Sequence, residues 1–172
     1  MMSEHVGMVD RLEVYHIRDG QIIDQRITPP HANRWWMKKL TQLLSWLGIK
    51  KWTVDLVTNA GKTTVAQLIG GAFTYVAIGT DDGTLLPLDA TNTALGAEAD
   101  RQVATVTYET TNVTNDTIRL DATFNFTTPT AVQESGVFDA AAGGNMLCRQ
   151  TFAALNMQAG DQLIMIWKIT VQ

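Results

Sequence analysis

Residues 58–64 read Thr-Asn-Ala-Gly-Lys-Thr-Thr, and Gly61-Lys62-Thr63 within them matches the tail of the loop that cradles nucleotide phosphates. That loop requires G-x-x-x-x-G-K-[ST] between a buried strand and a helix. Its first glycine would fall at position 56, which is Leu56. A side chain held there in left-handed geometry costs roughly 1–2 kcal/mol and blocks the close backbone approach that phosphates need. Nothing downstream supplies an α/β pattern or an apolar strand ending in an Asp for magnesium. The segment reads as a turn at Asn59 and Gly61, with no nucleotide.

Other chemical groups are scattered. His5, His16 and His31 stand alone and far from Cys148, so no zinc spacing appears. Asp81-Asp82-Gly83 could begin a calcium loop but lacks the later acidic ligands, and reads as an acidic turn. Glu98, Asp100 and Glu134 are carboxylates of the kind that cleave sugars in pairs, but no pattern brings them together. The single cysteine, Cys148, has only Arg149 as a possible activator and reads as a small core residue. Three Asn-x-Thr sequons, at Asn112, Asn115 and Asn125, follow from the abundance of Asn and Thr. These residues imply a protein that is not an enzyme and carries no cofactor or metal.

The chain of 172 residues, 45% hydrophobic, can bury a core that needs no disulfide. The first residues carry Glu4, His5 and Asp10 where a signal peptide would have a basic and then an apolar run. No apolar stretch approaches the roughly 20 residues of a membrane span, so a soluble protein is expected. The net charge of −4 is unevenly spread. Residues 1–62 hold nine basic against six acidic side chains, and residues 63–172 hold four against eleven. An acidic body argues against nucleic acid as partner, while opposite-signed halves suit head-to-tail contact between copies.

Three elements must position these groups. In residues 11–28, Leu12, Val14 and His16 alternate with Glu13, Tyr15 and Ile17 before Asp19-Gly20, which predicts a β-hairpin arm closed by Pro29-Pro30. Residues 33–48 predict a helix from Asn33 to Gly48, with Trp36, Leu40, Leu43, Leu44 and Leu47 on one face. Trp35 and Trp46 fall off that stripe, and Trp52 follows it. The stripe suits either packing on the chain's own body or docking on another subunit. A membrane-surface role is disfavoured by the sparse basic face.

From Thr53 to Gln172 the pattern is β. Ile118, Leu120, Ala122, Phe124 and Phe126 alternate with polar residues, and Leu163, Met165, Trp167, Ile169 and Val171 form a second alternating set. Turn residues separate such runs and no helix is expected between them. The expected organisation is an arm at 1–52 followed by an antiparallel β-sandwich at 53–172, of jelly-roll or Ig-like type. Gly61, Gly79, Gly83, Gly136, Gly143 and Gly144 read as turns between strands. Glu98 and Arg101 read as a local ion pair, and Glu134 as a carboxylate accepting backbone N–H bonds at a strand end.

The order of several short pieces carries more information than any one of them. Thr58-Asn59-Ala60-Gly61 is followed by Ala77-Ile78-Gly79 with Gly83, then by Leu95, Glu98 and Arg101. Glu134, Gly136, Phe138, Asp139, Gly143, Gly144 and Leu147 complete the series. This layout, over roughly residues 53–172, resembles the N-terminal, virion-attaching domains of bacteriophage tail-fibre proteins and small phage structural proteins built like them, in which the Thr-Asn-Ala-Gly turn precedes a short helix. Tail-fibre proteins run on into shafts and a receptor-binding tip, whereas this sequence ends at Gln172, and the hairpin and Trp-rich helix lie outside the pattern.

The resemblance therefore implies a virion structural protein of tail, baseplate or neck, made in the host cytoplasm, with capsid decoration as the nearest variant. A carbohydrate-binding sandwich is the rival from another class. The implied partners are other virion proteins and further copies of the chain, as a trimer or ring. The expected contacts are Tyr15, Ile17, Ile22, Trp35, Trp36, Leu40, Leu43, Trp46, Leu47 and Trp52.

Overall fold

The computed structural model describes residues 8–27 and 57–172. Two antiparallel sheets face each other across one core. The strands are β1 (Met8–Arg18), β2 (Gln21–Ile27), β3 (Tyr75–Gly79), β4 (Glu98–Val103) and β5 (Thr105–Glu109). They continue with β6 (Thr117–Asn125), β7 (Thr130–Phe138), β8 (Met146–Met157) and β9 (Gln162–Val171). One helix, α1 (Asn59–Ala72), precedes β3. The five-stranded sheet has the order β2-β1-β9-β6-β5 and the four-stranded sheet β4-β3-β7-β8. The mainly β, antiparallel sandwich expected from the alternation is the architecture found.

The period of two decides which side chains meet. Ile118, Leu120, Ala122 and Phe124 of β6 lie inward with Phe126 just beyond it, and Leu163, Met165, Trp167, Ile169 and Val171 of β9 do the same. Val76, Ile78, Val132 and Val137 close the core from the other sheet. Trp167 is fully buried, and its indole N–H donates to Ser135 Oγ at 3.0 Å. The Ser135 hydroxyl in turn donates to the Ala77 carbonyl at 2.8 Å. This relay satisfies two buried polar groups and fixes the offset between the sheets.

Residues 98–109 serve both sheets. Glu98–Val103 pairs β3 in one, and Thr105–Glu109 pairs β6 in the other. Ala104 is the buried pivot between them, with its N–H bonded to the Thr74 carbonyl at 2.8 Å.

The hairpin is present, and Asp19 and Gly20 take the positive φ angles of 50° and 74° that its two-residue turn requires. It is not a separate arm: β1 pairs β9 continuously from Met8↔Val171 to Ile17↔Gln162. A division at residue 52 therefore cuts through the five-stranded sheet. A second bond pins its inner strand. Asp161, at the β8–β9 turn, accepts from Arg18 Nε at 2.7 Å, from Arg18 Nη2 at 2.8 Å and from the Gln158 N–H at 2.8 Å. The His16 ring nitrogen Nε2 lies 2.7 Å from the same carboxylate.

Helix α1 corrects the expectation of a turn at Asn59 and Gly61 and of a body without helices. Thr58 is its N-cap, accepting from the Gly61 N–H at 3.1 Å. Gly and Thr favour helices weakly, so packing must supply what propensity lacks. Ala66 and Gly70, four apart, are the residues the helix buries. A Cβ at Gly70 would stand 2.7 Å from Tyr108 Oη, so only glycine admits the tyrosine, whose hydroxyl donates to the Gln67 carbonyl at 3.3 Å. Residues 57–58, at the start of the stretch expected to be β, are not in a strand; residues 53–56 and the helix expected at 33–48 lie outside the described residues.

Two buried carboxylates make stability acid-sensitive. Arg18 leads in holding Asp161 well below the usual carboxylate range, against the opposing effect of burial. Burial pushes Asp116 up, but the N–H groups of Thr111, Val113 and Asn112 outweigh it and lower it overall. A depressed folded-state value contributes stability that is present above the unfolded value, about 4, and lost as pH falls through the folded value. The thermal midpoint should therefore stay level from neutral pH to about 5 and fall steeply below 4. Asp161→Asn should flatten that acid limb; an unchanged slope would remove Asp161 from the account.

Candidate functional site

Part of the series singled out by its order along the chain assembles on the outer face of the four-stranded sheet, while Thr58 to Gly61 lie at the start of α1 and Ile78 in the inner core. Register places Arg101, Ala77, Gly136 and Arg149 in one row across β4, β3, β7 and β8. The next row on that face is Glu98, Gly79, Glu134 and Thr151. The two small residues between the arginines leave space over the sheet. Leu95 fills it: a Cβ at Gly136 would stand 3.0 Å from Leu95 Cδ2. With Ala77 and Phe138, Leu95 forms a second buried cluster on this side of the sheet.

Gly79 and Gly136 are thus strand residues that permit close approach, where turns were expected. A Cβ at Gly79 would overlap the Glu134 carboxylate and the Ala97 carbonyl, and one at Gly96 would overlap the Asp81 carboxylate. Gly83, Gly143 and Gly144 do occupy turns, with φ of 95°, 60° and 74°.

At the centre is Arg149, whose side chain is 2% exposed. Its Nε donates to Glu134 Oε2 at 2.8 Å and its Nη2 to Asp81 Oδ2 at 2.9 Å. Its Nη1 donates to the Leu86 carbonyl at 2.7 Å and to Asn92 Oδ1 at 3.1 Å. Glu134 also accepts the Gly96 N–H at 3.0 Å and the Ala97 N–H at 2.7 Å. Asp81 accepts the N–H groups of Gly83, Leu85 and Leu86, each at 3.0 Å. Burial pushes Asp81 up, but these three N–H bonds and Arg149 together hold it below the usual range. The arrangement is a clamp that closes the long 80–97 connection over the sheet.

Arg101 makes a second clamp. Its Nε and Nη2 grip Glu98 at 2.8 and 2.7 Å, and its Nη1 donates to the carbonyls of Ala140 and Gly143, both at 2.8 Å. The guanidinium lies 3.7 Å from the centroid of Phe138, a cation–π contact. Glu98 and Arg101 do pair, and Glu134 does accept backbone N–H bonds. Sequence reasoning placed Asp81 in an acidic turn and Arg149 beside Cys148, and missed that these two and Gly96 form the other half of the clamp. The available signal was a lone arginine within the apolar run Met146-Leu147-Cys148.

Chemically the clamp is closed. Each nitrogen of the Arg149 guanidinium already has an acceptor, and both acids are fully engaged. Glu98 and Glu134 hold different arginines, and Asp100 accepts from Arg101 N–H and Gln102, so the acids are not arranged as an acid–base pair. A groove of about 460 Å³ lies beside the clamp, lined by Leu88, Asn92 and Met146 to Gln150, including the half-buried Cys148. Among the described residues no group of three or more His, Cys, Asp or Glu is placed to hold a metal, and no helix is long and apolar enough to cross a membrane. The Gly61 N–H that a phosphate would use is bonded to Thr58.

The expected contact residues are spread. Tyr15 and Ile17 are half-buried on the face of β1 opposite His16, and Ile22 of β2 is 59% exposed. Trp35, Trp36, Leu40, Leu43, Trp46, Leu47 and Trp52 lie outside the described residues. Comparison with family models, curated proteins and solved structures finds no match for this chain.

Breaking the clamp at its cation should be severe, because it strands buried charge. Arg149→Met is expected to cost about 3–5 kcal/mol in urea unfolding. It should also open residues 84–92 to limited proteolysis. A loss below 1 kcal/mol would mean that the 80–97 connection holds its place without the arginine.

Proposed function

We propose that this protein is a non-enzymatic structural component of a bacteriophage particle, belonging to the tail, baseplate or neck, where it self-associates and docks on other virion proteins. One observation carries the reading: six of the residues behind the phage resemblance, Leu95, Glu98, Arg101, Glu134, Gly136 and Phe138, form one contiguous unit on one sheet face. A pattern of isolated turns would have had no reason to converge.

The unit also does work suited to a building block. It spends its polar groups internally and holds a loop rigidly, as a docking surface requires. That loop carries Leu85, 74% exposed, and Leu88, 48% exposed. The large exposed hydrophobics among the described residues are all aliphatic, which gives no aromatic platform to the rival carbohydrate-binding reading.

The test is localisation in the particle. Antibodies to the chain should label purified phage from a strain carrying this gene at one discrete site. Mass spectrometry of those particles should find the chain at a fixed ratio to the major capsid protein. Labelling at the tail or neck is the expected result, and labelling over the whole head would reassign it to capsid decoration. Absence from particles would overturn the proposal.

A further inference from the structure

The outer face of the five-stranded sheet is apolar where a two-layer sandwich would turn polar side chains to water. Strand β9 runs Leu163-Ile164-Met165-Ile166-Trp167, apolar on both sides. A strand with one face on a core alternates, whereas an unbroken apolar run marks burial on both faces. Leu163, Met165 and Trp167 fill the inner side. On the outer side Ile166 is 5% exposed, yet it belongs to neither apolar cluster of the described residues. Around it Ile164, Tyr15 and Ile17 are half-buried, and register sets Tyr15 directly against Ile164. A charged strip borders this patch on the β5 side, where Arg119 holds Asp121 and Glu109, and Glu109 also takes Lys168.

We infer that the stripe of residues 33–48, with Trp36, Leu40, Leu43, Leu44 and Leu47, covers this patch, packing on the outer face of β1 and β9 of its own chain. The end points of the connection favour that occupant. Strand β2 ends at Ile27, level with Ile166 because Glu13 is the register partner of both. Residues 28–32 extend to about 17 Å at most. The step back from β2 to β9 is two strand spacings, about 10 Å. A helix over 33–48 is about 24 Å long, and a five-stranded sheet is about 19 Å across. One helix therefore spans the face. A tether this short holds the stripe at an effective concentration on the order of millimolar, which favours the chain's own segment over one from a second copy. The stripe then serves as cover within one chain, in place of a contact between subunits. This inference does not rest on the virion reading.

Thiol labelling of the full chain provides the test, with Ile166→Cys in a Cys148→Ser background. The new cysteine should label slowly, at a rate unchanged over about a hundredfold range of protein concentration. Adding Leu40→Lys and Leu44→Lys, which put charge into the stripe, should raise that rate about tenfold or more. Met165→Cys, on the inner face of the same strand, should stay slow with or without the two lysines.

A rate at Ile166→Cys that ignores the lysines would show that the sheet's own side chains bury this position, and would overturn the inference. Slow labelling confined to high concentration would assign the cover to a second copy and overturn it equally. A rise at both cysteines would make the stripe a support of the whole body, with no particular claim on this face. Particle labelling separately decides the virion reading.

Discussion

A guanidinium buried to 2% exposure is the constraint around which the four-stranded sheet is arranged. Taking a cation out of water costs several kcal/mol, and the structure must offset that with matched acceptors. Arg149 therefore requires Glu134 on the adjacent strand, Asp81 at the start of the connection, and the carbonyl of Leu86 farther along it. Those acids in turn need glycines beside them: Gly79 makes room for Glu134, and Gly96 for Asp81. Each requirement generates the next. Replacing the set with packed apolar side chains could stabilise as well. Ions here give a defined path to a connection that has no regular structure from 80 to 97.

The same logic, in neutral form, sets the relation of the two sheets. The Trp167 indole is too deep to find water, so its N–H must find Ser135, and the Ser135 hydroxyl must find Ala77. Those bonds run from the centre of one sheet to two strands of the other. The passage of residues 98–109 from one sheet to the other through Ala104 ties the sandwich at one side. The opposite side is where β2 and β8 stand as outer strands of the two sheets.

Much of this was legible in the sequence, for physical reasons that also explain what was not. The stripes of β6 and β9 were read residue by residue, because burial on one face imposes period two. The hairpin was legible because Asp-Gly suits positive φ. Helix α1 was not, since its Gly and Thr residues signal turns at short range. Its stability comes from Tyr108 and Ile118, some forty residues away, closing on Gly70. The clamp was half legible. Glu98 and Arg101 lie three apart, so proximity in sequence announces the pair. Arg149 and Asp81 are 68 residues apart, and only the pairing of β3, β7 and β8 brings them together. Gly79 and Gly136 were seen but assigned to turns, because sequence does not distinguish a glycine that bends the chain from one that makes room for a neighbour.

That last ambiguity bears on function. A glycine cleared for a ligand leaves a cavity, whereas these glycines are filled by the chain's own Glu134 and Leu95. Donors that would recognise an anion are consumed by Glu134, Asp81 and backbone carbonyls. An enzyme keeps some polar groups underused until substrate arrives, and accepts the loss of stability. In the clamp the polar groups are used in advance, and the large hydrophobics left exposed among the described residues are Ile22, Ile23, Leu68, Leu85, Leu88 and Val103. A satisfied interior beside exposed aliphatic residues is what the proposal of a protein-binding part rests on.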